Sequence, residues 1–501
     1  MKFGIYLSLL SNAKFMTKSA SVFSNFPRAF WVANTMELFE RWAWYGMFLV
    51  LPLYLTGSTD TGALGFSQAQ KGLLTGTVVM ILYFLPTFTG AIADRFGYKK
   101  ILILAYIILI TGYYMMGVVR SYTALWFVFL YLGVGAGLFK PVISATIRKS
   151  TNDKTSSIGF GIFYMIVNIG AFVGPIFASK LREVSWDLVF IMSAIVIGIN
   201  LLLVIFFFRE PPAVRSTEPL GKSIVQIFRN IGLALSDLRL LIFLIIIIGF
   251  WAMYNQLFYT LPVFIDQWLD TSPIYSGLAH ISPSLARAIG TEKGTIAPEM
   301  LTNIDAFYIV VFQVLVSSLV MRFKPLKTML AGILICAIGI GLWFVTLNPF
   351  FLFLSILIFA FGEMTSSPKI LEYVGRIAPE DKVALYMGCY FIPMAGGNFL
   401  AGILSGNVYG PVADKITLLQ REVAARGLSI PEISASFSQN EYVAQAAARM
   451  GMTPHELTLF LWNTYHPSKI WMIFTGIGLL TVAALFVYNW FLGRNPGKQA
   501  Y

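Results

Sequence analysis

Charged residues are scarce in this chain. They make up 12% of the 501 residues, whereas 57% are hydrophobic, and a soluble domain typically carries about 25% charged residues. Apolar runs of about 20 residues, long enough to cross a bilayer, recur throughout the sequence. The short alternating strands of a membrane β-barrel are missing, so helices must satisfy the backbone within lipid. We therefore expect an all-α membrane protein.

Cysteine and histidine are also rare. The two cysteines, Cys336 and Cys389, lie in apolar runs, and the three histidines lack the spacing of metal ligands. A disulfide framework and a clustered metal site are therefore not expected. Because the chain also lacks a Walker loop, a nucleophile elbow and an HExxH motif, we predict that it is not an enzyme and needs no cofactor or metal.

The basic residues lie mainly between the apolar runs. The formal net charge is +12, but it is distributed over short loops as membrane insertion requires, so nucleic acid is not a predicted partner. Most Lys and Arg fall on one side if the N-terminus is cytoplasmic. We expect a multi-pass protein of the cell (inner or plasma) membrane, surrounded by the lipid bilayer, with both termini in the cytoplasm.

Twelve apolar segments form the predicted spans. Spans 1 to 6 cover 31–56, 69–92, 100–119, 123–147, 159–182 and 186–208. Spans 7 to 12 cover 240–266, 303–322, 327–347, 350–372, 383–410 and 467–493. Two groups of six spans around a site near the membrane midplane are typical of alternating-access transporters.

The remaining segments complete the predicted domain organisation. It consists of a cytoplasmic tail (1–30), a six-helix half (31–208), a cytoplasmic linker (209–239), a second six-helix half (240–493) and a short tail (494–501). Within the linker, residues 223–235 form either an amphipathic helix at the membrane surface or a plain connection.

Two long loops lie on the side of the membrane opposite the linker. Residues 267–302 are rich in Pro, Gly and Ser, and residues 411–466 contain motifs at 429–432 and 453–456 that match capping boxes. We expect 411–466 to be an extracytoplasmic helical insertion. A passive insertion is the favoured interpretation because surface loops tolerate added length, and gating or partner binding are the alternatives.

Span 1 carries three ionisable residues in the stretch ELFERWAWYG (37–46). Glu40 and Arg41 follow Glu37 by three and four positions, so all three share one helix face. Arg41 offers a planar donor fork that both carboxylates can share, and two neighbouring carboxylates raise the proton affinity of one of them. Because charge in hydrocarbon is costly, we interpret the group as a proton relay, with a structural ion pair as the alternative.

Two further ionisable residues lie within spans. Lys140 in span 4 has no acidic neighbour on its own helix and lies at a depth similar to that of Glu37. The carboxylates of span 1 are therefore its predicted counter-ions. Glu363 lies near the middle of span 10 and is the acidic candidate of the second half, and Pro368 five positions later predicts a break and a hinge.

Several motifs resemble one family of transporters. The loop DRFGYKK (94–100), whose charges suit a clamp between helices, looks like the signature loop of the major facilitator superfamily. ELFERWAWYG is similar to the span 1 motif of the proton-dependent oligopeptide transporter (POT) family within it. GLFKPVIS (137–144) and GEMTSSPKILEYVGRIAP (362–379) resemble that family's spans 4 and 10. The matches occur in the same order across both halves.

The resemblance implies a secondary transporter of the twelve-helix, two-half fold, which carries di- and tripeptides or peptide-like solutes together with protons. We expect the protein to be a monomer. It assigns proton coupling to Glu37, Glu40, Arg41 and Lys140. It assigns the conformational clamp to Asp94, Arg95 and Lys99. It places the substrate at Tyr45, Tyr83, Asn168 and Glu363.

Two positions depart from the family pattern. Phe48 stands where the family has an arginine associated with the peptide carboxylate, and Asn255 stands where it has an acid. We include Phe48, Trp251 and Asn255 in the predicted substrate site. Either another charge compensates, with Asp266 and Asp305 as candidates, or the substrate is a non-peptide solute or a drug-like amphiphile.

A further alternative, after a peptide transporter and a transporter of another solute, is a sensor or scaffold that transports no solute. The charges kept within the spans argue against it, because a scaffold gains little from them.

Overall fold

The structure is a computed structural model that describes residues 26–152, 155–211, 219–343 and 346–494. Most of the predicted tail 1–30, nearly all of the tail 494–501 and residues 212–218 of the linker lie outside the described residues.

The first half contains spans 1 to 6. Span 1 is Arg28–Thr56, span 2 is the pair Gln68–Phe84 and Pro86–Phe96, span 3 is Tyr98–Val118, span 4 is Tyr122–Lys149, span 5 is Ser156–Val184 and span 6 is Trp186–Phe206. The two helices of span 2 are bent by 46°, because Pro86 begins the second helix and cannot continue the hydrogen-bond ladder of the first. A short 3₁₀ turn, Thr59–Thr61, connects spans 1 and 2.

The second half contains spans 7 to 12. Span 7 is Leu238–Tyr254, Gln256–Tyr259 and Leu261–Trp268, span 8 is Pro298–Thr302 and Ile304–Val320, span 9 is Pro325–Leu342 and span 10 is Phe351–Ile377. After a 3₁₀ turn, Glu380–Lys382, span 11 is Val383–Gly388, Phe391–Ile403, the π-helical Leu404–Val408 and Tyr409–Ala413, and span 12 is Lys469–Arg494.

The connections are also helical. The linker contains Leu220–Leu235, the loop after span 7 contains Ser272–Ile281 and Pro283–Ile289, and the loop after span 11 contains Lys415–Ala425, Gln439–Arg449 and Pro454–Tyr465. In the described residues, the isolated bridges Gly290–Ile296 and Ser434–Phe437 are the only strand-like pairings.

The length and composition of the helices agree with twelve spans. Among the described residues, ten helices can cross a membrane, or eleven if the bent pair of span 2 counts as one. The twelfth is span 1, a long helix that is less apolar because it contains Glu37, Glu40 and Arg41. The predicted all-α fold with twelve membrane helices in two halves is confirmed.

Three local expectations need correction. Residues 429–432 do not start a helix. The capping boxes lie at Ser438 and at Thr453, whose hydroxyls accept backbone N–H bonds from Glu441 and Glu456. Span 10 continues through Pro368 without a break, because neighbouring helices support its backbone. Residues 267–302 are largely helical, since Ser282 caps a helix with Pro283 at its first position.

We name the two ends of the helix bundle after the segments that lie on them. The cap end carries the cap helices, which are Lys415–Ala425, Gln439–Arg449 and Pro454–Tyr465, and the linker end carries the linker helix Leu220–Leu235. The linker is thus helical, one of the two predicted alternatives. Its Phe228 ring packs on Phe88 of span 2 at a centroid distance of 5.0 Å.

The two halves touch closely toward the cap end. Spans 2 and 11 cross there at glycines, and a Cβ added to Gly76 would lie 2.9 Å from the Cα of Gly402. No side chain fits at so short a distance, so glycine is required for this contact. The helices therefore converge at the cap end and leave a space between the halves further toward the linker end.

Candidate functional site

A cavity of about 250 Å³ lies between the two halves. All predicted substrate residues line it, namely Tyr45, Phe48, Tyr83, Asn168, Trp251, Asn255 and Glu363. Arg41 and Lys140 line it as well, and they are the cations among its described lining residues. A cavity of mixed polarity between two bundles is the typical form of a small-solute site.

Span 1 brings its charged residues together beside this cavity, and Arg41 is the one of them that lines it. Arg41 Nε lies 3.3 Å from Glu37 Oε1 and donates a 2.5 Å hydrogen bond to Glu40 Oε2. Glu37, Glu40 and Arg41 are 2%, 0% and 7% exposed. Glu40 Oε1 is buried without a hydrogen-bond partner in the described structure. The guanidinium thus neutralises one of two buried carboxylates and leaves an acceptor position unoccupied.

The position of Arg41 is fixed by span 5, which packs against span 1. A Cβ added to Gly170 would lie 2.8 Å from Arg41 Cβ. Glycine at this position therefore lets the backbone of span 5 approach the charged face directly. The resulting close contact excludes water from that side, and Arg41 faces the cavity.

The predicted ion pair between Lys140 and span 1 is not formed in this structure. Lys140 lines the cavity beside Arg41, but the carboxylates of Glu37 and Glu40 are paired with Arg41 instead. Because one guanidinium occupies the near side of both carboxylates, Lys140 remains available to an anion inside the cavity.

Phe48 belongs to an aromatic cluster that joins the two halves. Its ring stacks on Trp44 at 5.3 Å and packs edge-on against Tyr259 of span 7 at 5.8 Å. Phe48 is 7% exposed. Where the resembling family places a cation, this chain therefore has an apolar contact between spans 1 and 7 on the cap-end side of the cavity.

The opposite wall presents polar groups from spans 7 and 10. Tyr254 Oη donates a 2.9 Å hydrogen bond to Glu363 Oε1, and Glu363 Oε2 has no partner in the described structure. Trp251 Nε1 is a buried donor without a partner among the described residues. The Asn255 amide donates to Trp251 O of its own helix at 2.7 Å. This wall thus offers carboxylate, amide and indole groups but no cation.

Span 5 adds an amide to the same cavity. The Asn168 side chain donates to Tyr164 O one turn earlier at 2.8 Å. Its amide oxygen therefore stays available as an acceptor.

The predicted clamp residues lie at the linker end. Asp94 accepts a 3.0 Å bond from Tyr98 Oη, and Lys99 donates to Ile205 O of span 6 at 2.8 Å. Arg95 lies on the same short helix of span 2, Pro86–Phe96. The loop between spans 2 and 3 is thus tied to span 6 within the first half.

Two polar contacts that join the halves at the cap end were not predicted. Arg182 of span 5 donates from Nε and Nη2 to the two carboxylate oxygens of Glu299, at 2.5 and 3.0 Å. Lys71 of span 2 is fully buried and donates to Tyr259 O at 3.1 Å. Arg182 and Lys71 both lie near the ends of predicted spans, where basic residues are common. The sequence around them therefore gives no sign that they join the two halves.

The cap helices also touch the first half. Asn440 donates to both carboxylate oxygens of Asp60 at 3.2 and 3.0 Å. Burial raises the pKa of Asp60, but hydrogen bonds from Ser58 and Asn440 outweigh it and hold the pKa below its usual value. A cavity of about 630 Å³ lies beside this contact, lined by Asp266 and Asn440, and contains none of the predicted site residues.

Comparison with known proteins gives the family. The family model described as Major Facilitator Superfamily matches residues 35–297. The chain belongs to the major facilitator superfamily. The signature loop at 94–100 falls within the matched region.

Relatives of this superfamily member include peptide permeases. It is 25% identical over 451 residues to dipeptide and tripeptide permease B of Salmonella typhimurium, which covers 78% of this chain and 88% of that protein. It is 23% identical over 471 residues to dipeptide and tripeptide permease A of Escherichia coli, which covers 80% and 88%.

A solved structure shares the fold of this superfamily member. It is a POT family transporter in complex with a thioalcohol-conjugated peptide, with a TM-score of 0.66 and 17% identity over 95% of this chain and 100% of that one. Together with the permeases, it confirms the predicted resemblance to the POT family.

Proposed function

We propose that this protein is a secondary transporter that carries di- and tripeptides or peptide-like solutes into the cytoplasm together with protons. The observation that carries this proposal is the cavity between the halves, which is lined by Glu363 and by Arg41, the partner of Glu37 and Glu40. The names of the two permeases and the peptide bound to the POT transporter support the choice of peptide.

The charges of the cavity suggest how a peptide would lie in it. A peptide is a dipole with an ammonium group at one end and a carboxylate at the other. The unpaired Lys140 on span 4 suits the carboxylate, and Glu363 on span 10 suits the ammonium group. Charge-assisted hydrogen bonds at both ends would fix the peptide across the cavity, from one half to the other.

The substitutions at Phe48 and Asn255 change what the middle of the site recognises. Lys140 is a point charge and cannot bind a carboxylate through two parallel bonds as an arginine can. The aromatic surfaces of Phe48 and Trp251 instead favour apolar or aromatic side chains on the peptide. We therefore expect a preference for hydrophobic dipeptides.

Proton coupling would use the buried group of span 1. A proton on Glu40 removes its charge and weakens its bond to Arg41, which then turns toward another anion. Breaking one side of a buried ion pair costs about 3–5 kcal/mol, enough to bias a two-state carrier strongly toward one state. Release of the proton restores the pair seen in this structure.

Alternating access would require the cap-end contacts to open. In this structure the halves are joined there by Arg182–Glu299 and by Lys71. With the cap end outside the cell, as the distribution of basic residues predicts, this conformation is closed to the outside. Substrate would enter when these contacts separate and would leave at the linker end after they re-form.

The test is uptake of labelled dialanine into proteoliposomes with an acidic exterior. We expect accumulation that disappears without the pH gradient and that is competed by hydrophobic dipeptides. Glu380→Gln, which neutralises an exposed carboxylate in a surface turn, is the matched control and should transport normally. Uptake of another solute that no dipeptide inhibits would show a shifted substrate. No proton or solute flux with any ligand would contradict transport.

A further inference from the structure

Two acidic side chains meet in the second half of the protein. Asp305 stands in the first turn of the span 8 helix Ile304–Val320, and Glu363 lies in span 10. Both side chains line one small cavity, and the two carboxyl groups interact electrostatically there. Asp305 is 4% exposed, and Asp305 Oδ1 and Glu363 Oε2 are both buried without a partner in the described structure. Each of the two carboxyl groups therefore has a buried oxygen without a hydrogen-bond donor.

No cation among the described residues faces this pair. The titratable groups that interact with it come from four packed spans and are three phenols and a thiol, none of which can carry a positive charge: Tyr45 of span 1, Tyr164 of span 5, Tyr254 of span 7 and Cys336 of span 9. Arg41 is engaged by Glu37 and Glu40 on the other wall. Two ionised carboxylates beside one small cavity, buried in a membrane bundle without a counter-charge, would repel each other strongly.

We propose that Asp305 and Glu363 form a second proton-binding site, in which the two carboxyl groups share one proton that the amino group of the substrate displaces. This proposal rests on the peptide site described above. The step is balanced: the ammonium group of the peptide pairs with the ionised carboxylate, and the proton leaves to water. One positive charge thus replaces another at the same place.

The cavities around the pair suit this exchange. Glu363 lines both the central cavity and a smaller one of about 60 Å³, and Asp305 lines only the smaller one. A water molecule needs roughly 10–15 Å³ of such space, so the smaller cavity can hold a few. A peptide would approach Glu363 from the central cavity, and the proton would leave through the water beside Asp305.

The Asp305–Glu363 pair also explains how this protein can lack the acidic residue that the resembling family has in span 7. Asn255, at the position where the resembling family has an acid, donates its amide to Trp251 O of its own helix and is not part of the pair. Asp305 supplies the second carboxyl group from span 8 instead. Of the two compensating candidates, Asp266 lines the separate cavity at the cap end and does not contact Glu363.

The first test needs no substrate. Infrared spectra of the purified protein at neutral pH should show the band of a protonated carboxyl group, and Asp305→Asn and Glu363→Gln should each remove it. Asp266→Asn is the matched control and should keep it. A band that persists in both variants, or that Asp266→Asn removes, would overturn the proposal. Because no peptide is present, the result does not depend on the proposed function.

The second test measures proton release on binding. Calorimetric titration of dialanine in buffers of different ionisation enthalpy gives the number of protons exchanged. We expect about one proton released per bound peptide for the unmodified protein and for Asp266→Asn, and close to none for Asp305→Asn. Equal release by Asp305→Asn and the unmodified protein would overturn the proposal. No binding at all would contradict the peptide function, and the infrared result would still decide whether the pair holds a proton.

Discussion

The two halves of this protein bury acidic residues in opposite ways. In the first half, Glu37 and Glu40 share Arg41, so the charge is largely compensated by a neighbour on the same helix. In the second half, Asp305 and Glu363 line one small cavity, and among the described residues the hydroxyl of Tyr254 is the donor to the pair. One site is stabilised by an internal cation, whereas the other needs a cation from solution, either a proton or the substrate.

This difference predicts that the site in the first half contributes to stability as well as to transport, whereas the site in the second half contributes to transport alone. Removing a group from a compensated site leaves a buried charge behind, which destabilises the fold. Removing one carboxyl group from a pair that shares a proton leaves one group that can keep the proton, so no buried charge remains and the fold should not be destabilised. The following changes test this contrast, in order of decreasing expected effect.

The largest effect is expected for Arg41→Met. It turns the first site into a second uncompensated carboxylate pair, so the free energy of unfolding should fall by about 3–5 kcal/mol and uptake should be lost. Thermal unfolding in detergent and dialanine uptake measure the two effects. Arg41→Lys keeps the charge and should retain most of the stability. Normal stability of Arg41→Met would contradict the compensated character of this site.

Glu363→Gln should separate function from stability. We expect uptake of dialanine to fall at least tenfold, because the amino end loses its anionic partner, while the melting temperature stays equal or rises. Uptake and thermal unfolding are again the measurements. A melting temperature that falls as far as that of Arg41→Met would remove the distinction between the two halves.

Tyr254→Phe removes only the hydroxyl that donates to Glu363. A hydrogen bond of this kind contributes about 1 kcal/mol, so the KM for dialanine should change by roughly fivefold with little change in stability. The conservative change leaves the ring, which packs on Phe359 at 5.6 Å. An unchanged KM would show that Tyr254 does not orient Glu363.

The smallest effect is expected far from both sites, at the contact of Asp60 with Asn440. Because hydrogen bonds hold the pKa of Asp60 below its usual value, this contact stabilises the folded protein above the unfolded pKa and is lost as the pH falls through the folded one. Asp60→Asn should therefore reduce the acid dependence of thermal stability slightly and leave uptake at neutral pH within about twofold of normal. A large loss of uptake would show that the cap helices gate the transporter.

Much of the architecture can be predicted from the sequence because its causes are local. Spans follow from apolar length, and the charged face of span 1 follows from the helical spacing of Glu37, Glu40 and Arg41. The capping box at Thr453 follows from a motif of four residues. The similar motif at 429–432 does not start a helix, which shows that a short match alone is weak evidence when the surrounding chain does not continue it.

The remaining features of the site depend on which spans pack against each other, and no local sequence pattern contains that information. Asp305 and Glu363 are far apart in sequence, and only the packing of spans 8 and 10 makes them a pair. Phe48 could be recognised as a departure, but its contact with Tyr259 across the halves depends on the three-dimensional arrangement. Lys71 and Arg182 stand near span ends, where a cation is ordinary, and their partners are fixed only by the convergence of the helices at the cap end.

The most direct test of the account compares uptake with exchange for Glu40→Gln in proteoliposomes. A glutamine cannot take up the coupling proton but keeps the shape of the site, so we expect loss of accumulation driven by the pH gradient, with exchange of dialanine across the membrane retained. Glu380→Gln, prepared in parallel, should accumulate dialanine as the unmodified protein does. Full pH-driven accumulation by Glu40→Gln would contradict the proposed coupling of peptide transport to the proton on span 1.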